Sequence, residues 1–563
     1  LTRSVQAGAS RPTGPRLAAM QTSASNKSHR PGTSAGSFDY IVVGAGSAGC
    51  VLACRLVQAG HSVLLLEAGP ADNSRFVHMP ATFVRVIGTE RTWLYETSPQ
   101  EAAAGRVMHV PQGRTLGGGS SVNAMVYTRG TPADYDDWAQ AGCTGWAWSD
   151  VLPAFRKAED NQRLAGPLHG NDGPLRVSDA RHRHPLSLAF VKAAQQTGLP
   201  YNDDFNGSRQ EGVGFYQSTT FGGRRGSTAA TYLAAVRSSP LLKVLTGVLV
   251  QQVLIEQGNA VGVSYQAADG SQGHALARCE VLLSAGALAS PKLLMLSGIG
   301  PADHLQSLGL PVRAHAAEVG ANFQDHLEVS VYGRCREPIS LLGQDKGLTA
   351  LRHGLEYECF KSGLLTSTVV ESGGFFDTSG SGRPDVQFHV LPVLVGDVHR
   401  EPLPGHGISL NPCFLRPQSR GRVRLRDAQA ATPIDFDGGY LQAQEDVDTL
   451  VRGLKLARRI LRAPALQQVL SGELLPGPQA DLPDTALEEH VRQFAKTVYH
   501  PAGTCRLGGD EASVVDLQLR VRGVGRLRVA DASVMPRLIS ANTNAPTIMI
   551  AERCAEFVLA GQS

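Results

Sequence analysis

Residues 38–69 constrain this chain more than any other stretch. Tyr40-Ile41-Val42-Val43 is a short apolar run of the kind that forms a buried parallel strand, and Gly44-Ala45-Gly46-Ser47-Ala48-Gly49 follows it without a spacer. In such a turn Gly44 permits the tight bend, Gly46 lets backbone N–H groups approach a pyrophosphate, and Gly49 lets the next helix pack close to the strand. The phosphates then sit at a helix N-terminus. The helix reads from 47 to about 58, the chain turns at Gly60-His61, and Val63-Leu64-Leu65-Leu66 is a second buried strand ending in Glu67. That carboxylate lies 23 residues past Gly44, near the spacing of an acid that hydrogen-bonds a ribose diol. A glycine triplet alone is also an ordinary turn; the strand before it, the helix after it and the acid together specify a dinucleotide site. An acid rather than an arginine at the strand end disfavours a 2′-phosphate and leaves FAD or NAD.

A chain of 563 residues is too long for one simple core, so two structural domains are expected. A net charge of +3 gives no support for nucleic-acid or anionic-membrane binding, and no apolar run approaches the roughly 18 residues of a bilayer span. A soluble protein without a transmembrane segment is expected. The nine cysteines are scattered, odd in number and without a CxxC pair, which argues for reduced thiols in an intracellular compartment and against a disulfide framework or structural zinc. Residues 1–37 contain no Asp or Glu but carry Arg3, Arg11, Arg16, Lys27 and Arg30 among Ser, Thr, Ala, Gly and Pro. This composition cannot build a core. It matches a disordered tail or an organelle transit peptide equally well, for the chloroplast a little before the mitochondrion because no amphipathic arginine helix is evident.

Further on, Arg91-Thr92-Trp93-Leu94-Tyr95 precedes Pro111-Gln112-Gly113-Arg114-Thr115-Leu116-Gly117-Gly118-Gly119-Ser120-Ser121-Val122-Asn123. Three consecutive glycines beside two serines are expected to form a loop whose backbone lies against a planar ligand, with Asn123 hydrogen-bonding it. Residues 113–130, and Gly286-Ala287-Leu288-Ala289-Ser290-Pro291 running on to Gly300, resemble the two signatures of the glucose–methanol–choline (GMC) flavin oxidoreductases. With the amino-terminal fingerprint and the carboxy-terminal region, the resemblance covers about 38–560 and is strongest to choline dehydrogenase-like members.

The resemblance implies an α/β (α+β) fold: a Rossmann-like FAD-binding domain with a substrate domain built on an antiparallel sheet backed by helices. It places the discontinuous FAD domain at 38–178, 243–330 and 500–563, and the substrate domain at 179–242 and 331–499. It implies FAD rather than NAD. Val122 stands where some relatives carry a flavin-linked histidine, so the FAD is expected to be noncovalent. The implied cofactor contacts are Gly44, Gly46, Ser47, Ala48, Gly49, Glu67 and Ala68 in the fingerprint unit, then Trp93, Arg114, Leu116, Gly118, Gly119, Ser120, Asn123, Ala124, Met125 and Val126. Val250 matches an adenine contact, and Ala285 and Gly286 lie at a strand end. Asp531 and Ala532 match residues near the pyrophosphate, and Asn542, Asn544, Pro546 and Thr547 lie beside the flavin ring. No metal site is implied.

His500, between Tyr499 and Pro501 on a rigid turn, matches the family's catalytic histidine, and Asn542 matches a position that holds His or Asn in relatives, with Asn544 as runner-up. Oxidising an alcohol requires losing a hydroxyl proton and a carbon-bound hydride. His500 is expected to take the proton, Asn542 to donate to the developing alkoxide, and flavin N5 to accept the hydride. The expected partners are thus a primary alcohol and either O₂ or a quinone-type acceptor. Nothing in the chain fixes an oligomeric state. His326 is assigned a structural role. Glu371 has a minor claim as a site for a cationic substrate, against the ordinary reading of a carboxylate paired with an arginine.

Two other readings stay open. Some algal GMC relatives are light-driven fatty acid photodecarboxylases, and Leu415-Arg416-Pro417 is similar to a segment there whose arginine meets the substrate carboxylate; His500 argues for the alcohol-oxidising branch. The other is a flavoprotein that has kept the fold for binding or lyase-like roles.

Overall fold

The computed structural model describes residues 33–396 and 403–561. Residues 1–32 of the acid-free segment lie outside that description, whereas 33–37, read as part of the tail, begin the first strand. That strand, Thr33–Val43, is central in a seven-stranded sheet. Val63–Glu67 and Leu242–Thr246 continue the sheet on one side, Gln272–Leu283 and Leu527–Val529 on the other, all parallel. Val248–Glu256 and Asn259–Ala267 form an antiparallel pair that joins the sheet along the first half of Gln272–Leu283. Every residue of Val63–Glu67 is buried, as a parallel strand covered on both faces requires. Helices Ser47–Gln58 and Asn544–Ala560 pack together, tied where Arg55 meets the buried Glu552 at 2.7 Å and the Tyr232 hydroxyl donates to the same carboxylate at 2.8 Å.

The second sheet is antiparallel along its main path, in the order Leu470–Leu475, Val331–Cys335, Gly407–Phe414, Val386–Leu391, Ser372–Phe376 and Gly212–Phe215. Helices Pro185–Gln196 and Gln444–Leu461 back it. Each sheet has its own apolar core, and residues cross the expected boundaries at several points. Ala229, Tyr232, Leu233 and Val236 pack into the first core, while Phe323, Leu327 and Val329 pack into the second.

Gly119–Val122 is one turn of α-helix, not the loop expected from its glycines and serines. The two preceding glycines take the bend (Gly117 φ +84°, Gly118 φ +49°), and the third opens the helical turn. His169 is buried between Glu159 and Asp204, and His182 bonds Glu371 at 2.9 Å.

Under the first core, Arg129 and Glu159 form an ion pair with neither side chain exposed. Arg129 also donates to the Tyr127 hydroxyl at 3.1 Å, and His169 and Gly170 bond the Glu159 carboxylate. Arg129→Met strands that carboxylate and is expected to cost about 3–5 kcal/mol of stability, read from chemical denaturation.

Candidate active site

One cavity of about 1950 Å³ runs from the carboxyl ends of the parallel strands to the face of the antiparallel sheet. Drug-sized ligands occupy pockets of roughly 300–1,000 Å³, so this space is large enough for a dinucleotide and a substrate together. Its first half is built from backbone. A Cβ on Gly44 (φ +95°) would stand 2.5 Å from Ser284 O, and one on Gly49 1.9 Å from Gly44 O, so turn and helix close on each other as the fingerprint predicts. Gly118 crosses Gly46 so tightly that a Cβ would meet Gly46 Cα at 2.6 Å. Helix Ser47–Gln58 starts at Gly46 with no side chain capping it, which leaves first-turn N–H groups facing the cavity.

Of the residues assigned to the cofactor, all line this cavity except Gly49, Leu116, Ser120 and Pro546. These four stand behind the lining and shape the walls. Gly49 packs on the turn, Leu116 is 1% exposed in the core, Ser120 braces the glycine turn by donating to Gly117 O at 2.6 Å, and Pro546 is buried in the first turn of Asn544–Ala560.

Glu67 is buried, and each of its oxygens already accepts one backbone N–H, from Ala45 at 3.0 Å and Gly69 at 2.9 Å. Each keeps a lone pair for a ribose hydroxyl, and burial pushes its pKa up to about 7. Asp531, matched to a position near the pyrophosphate, is engaged by the chain itself. It accepts from Gly286 N at 2.8 Å, Ser290 Oγ at 2.6 Å and Ser533 N at 2.8 Å, so its carboxylate fixes the strand end. Asn123 uses its oxygen on Met125 N and Arg225, leaving its amide N–H groups for a ligand.

Arg114 stacks 4.5 Å over Trp93, and its buried Nε–H has no partner. An orphaned donor, an uncapped helix start and a glycine cradle fit an anionic dinucleotide. Gly118→Ala is expected to empty this half of the cavity of flavin, because both the positive φ and the crossing forbid a Cβ. The ratio of flavin to protein absorbance in the purified variant checks it.

The far end of the cavity is built from side chains. Gln387 and His389 alternate with Val386, Phe388 and Val390 along a buried strand, so the two polar residues share a face. Asn542 meets them there. Its Oδ1 accepts from Thr128 Oγ1 at 2.9 Å and Gln387 Nε2 at 3.0 Å, which fixes the flip of the amide. Its Nδ2 therefore points at two imidazole nitrogens, His500 Nε2 at 3.4 Å and His389 Nε2 at 3.5 Å. Asn544, the runner-up, turns away: its Oδ1 accepts from Ser47 Oγ at 2.8 Å.

His326 is more than the structural residue expected. Its Nε2 donates to Leu415 O at 3.1 Å, so a neutral ring presents an unprotonated Nδ1 to His500 Nδ1 at 3.0 Å. His500 must then carry its proton on Nδ1, which leaves Nε2 as a lone pair aimed into the cavity beside the Asn542 amide. A backbone carbonyl thus sets the tautomer of His500 through one intervening ring. Asp325 holds the His500 main-chain N–H at 2.8 Å and is anchored by Tyr440 and Thr497, securing the turn in which Tyr499 sits at φ +67°.

Burial, with His326 and His389 nearby, holds His500 well below the ordinary imidazole value of 6.5, and burial pushes His326 down to about 3. The proton-accepting form of His500 is therefore already complete at pH 6.5. The acid limb of kcat/KM is expected to lie below pH 6.5, checked by a pH–rate profile with a substrate that does not itself titrate.

Glu371 does not reach this site. It is fully buried and accepts from His182, His184 N and Ser367, so its claim on a cationic ligand fails, and histidine takes the place of the arginine expected to pair with it. Arg416 does not line the cavity either; it bonds Ser540 Oγ at 3.0 Å and Arg383 O at 3.4 Å.

Residues 38–328 match the N-terminal family model of the GMC oxidoreductases and residues 417–551 the C-terminal one. The chain belongs to the GMC oxidoreductase family and is an FAD-dependent oxidoreductase. It is 44% identical over 531 residues to an alcohol dehydrogenase (acceptor) of Pseudomonas putida, covering 93% of this chain and 96% of that protein. It is 43% identical over 533 residues to the mitochondrial choline dehydrogenase of Mus musculus, covering 92% and 89%. Among solved structures, pyridoxine 4-oxidase from Mesorbium loti superposes with a TM-score of 0.84 at 31% identity, over 92% of this chain and 98% of that one.

Proposed function

We propose that this chain oxidises a primary alcohol to an aldehyde, with His500 as the base and Asn542 as the hydrogen-bond donor to the oxygen. The observation that carries this reading is the 3.4 Å approach of His500 Nε2 to Asn542 Nδ2, each held in one orientation by its other bonds. A hydroxyl seated against both gives its proton to Nε2, and the Asn542 N–H stabilises the negative charge that grows on the oxygen. The His500 Nδ1–H then donates to His326, whose low basicity keeps it from taking the proton away. FAD held in the glycine-lined half supplies the acceptor for the hydride that leaves the carbon. Val122 lines that half with an aliphatic side chain, which supports noncovalent binding.

The substrate arm supports an uncharged alcohol. Leu391, Val393, Leu394, Val369 and Val370 line it, and Glu328, which lines it with His389 and Lys496, is matched by His389 at 3.0 Å and Lys496 at 3.4 Å. A quaternary ammonium group would compete with that lysine. The photodecarboxylase reading has less support, since Arg416 is spent elsewhere. A leader in the acid-free segment, if it directs the chain to an organelle, is better matched to the mitochondrion than to the chloroplast by the mouse relative's name.

The test is turnover across a chain-length series of primary alcohols with choline alongside. One arm follows peroxide in air, and the other follows a soluble quinone without oxygen. Activity rising with alkyl length in either arm supports the reading and assigns the acceptor; turnover of choline alone contradicts the uncharged arm.

A further inference from the structure

Helix Gly347–Phe360 is turned the wrong way round for a helix at a protein surface. Its inward side carries Ala350, His353, Gly354 and the buried Tyr357, while Leu348, Leu351 and Leu355, spaced three and four apart, stand on the outward side at 84%, 58% and 58% exposure. Phe360 at 75%, Val84 at 56% and Leu342 at 45% extend the same apolar surface. Isolated exposed leucines need no explanation, but a cluster of this kind marks a contact.

Two further observations say what the contact is. Val84, Leu342, Leu351 and Leu355 are at once exposed and part of the wall of the cavity that ends at His500, so the apolar surface is the rim of the site's own mouth. The rim is also cationic. Arg75 and Arg85 stand in its wall with Asp345 and Glu358, the helix and its two flanking residues carry Lys346, Arg352 and Lys361 against Glu356, and Arg224 lies near Glu358. Lys361 pairs with Glu358 at 2.8 Å, Arg224 and Arg75 add their fields there, and Arg85 pairs with Asp345 at 3.0 Å. Six bases against three acids make +3, which equals the net charge of the whole chain. Leucine and phenylalanine on an exposed helix face, flanked by lysine and arginine, suit the boundary between headgroups and acyl chains of an anionic bilayer. A second copy of the chain seated there would close the mouth, whereas lipid leaves it open to apolar molecules.

We propose that this face docks on the interfacial region of an anionic phospholipid membrane, so that the cavity opens toward lipid. The proposal does not depend on the reaction assigned above, and its readout is partition rather than turnover. The full-length flavin-loaded protein is sedimented with phosphatidylcholine vesicles, with and without phosphatidylglycerol. The wild type is expected to pellet with the anionic vesicles and to be released by salt. Leu348→Glu/Phe360→Glu, at two positions outside the cavity wall, is expected to lower that partition by roughly a hundredfold or more. Leu188→Glu/Val312→Glu, at exposed apolar positions elsewhere, is expected to pellet as the wild type does. Melting temperatures report whether each variant is folded. A wild type that stays in the supernatant with both vesicles overturns the proposal, as does a Leu348/Phe360 variant that pellets undiminished. Sedimentation velocity showing a wild-type dimer that this variant splits would assign the face to a second copy and also overturn it.

Discussion

His500→Ala is expected to lower the rate at which an alcohol bleaches the bound flavin by about 10²–10⁴ while leaving the flavin in place. The separation follows from the two halves of the cavity. The glycine turns, Glu67 and Arg114 lie at one end, and His500 enters from the other on a turn anchored by Asp325, so losing the imidazole removes a proton acceptor and leaves the cradle intact. Anaerobic stopped-flow mixing reads the rate, and the absorbance ratio of flavin to protein reads retention. An unchanged bleaching rate would remove His500 from the reaction.

Asn542→Asp is expected to slow the same step by about 10²–10³, the usual effect of deleting a donor to a developing oxyanion. Aspartate keeps the acceptor that Thr128 and Gln387 use and nearly the same shape, so the side chain should stay seated. What it loses is the N–H pair that points at His500 Nε2 and His389 Nε2, and it sets a carboxylate where negative charge must grow. Because the proposed reaction has His500 and Asn542 act on one hydroxyl, the double variant should be little worse than the slower single one. Fully additive losses would mean that the two side chains serve separate steps.

The dinucleotide half was legible in the chain because its chemistry is local. Strand, glycine turn, helix and acid follow within thirty residues, and Gly44 and Gly49 close on neighbouring backbone as the spacing predicts. The far end was only half legible. His500 and Asn542 stand out through a resemblance, but His389, Gln387 and Thr128 reach Asn542 from distant parts of the chain, and only the register of the antiparallel sheet brings them there. One signal was present: two polar residues at alternate positions of an otherwise apolar buried strand need partners. His326 was misjudged because its role depends on which ring nitrogen faces Leu415 O. The glycine-serine turn was read as a loop because propensity speaks against helix, yet one turn braced by Ser120 and Ser121 hydroxyls needs little propensity. The basic rim was not legible because its charges come from separate stretches of the chain and total charge carries no position.

The most direct test of the account is anaerobic mixing of the flavin-loaded protein with a long-chain primary alcohol in the dark, beside the same alcohol deuterated at the carbinol carbon. The account predicts loss of the oxidised-flavin band with one aldehyde formed per flavin, slowed by deuterium because the carbon-bound hydrogen leaves in that step. A band that persists with every alcohol tried, while illumination with a fatty acid releases a hydrocarbon one carbon shorter, would contradict it.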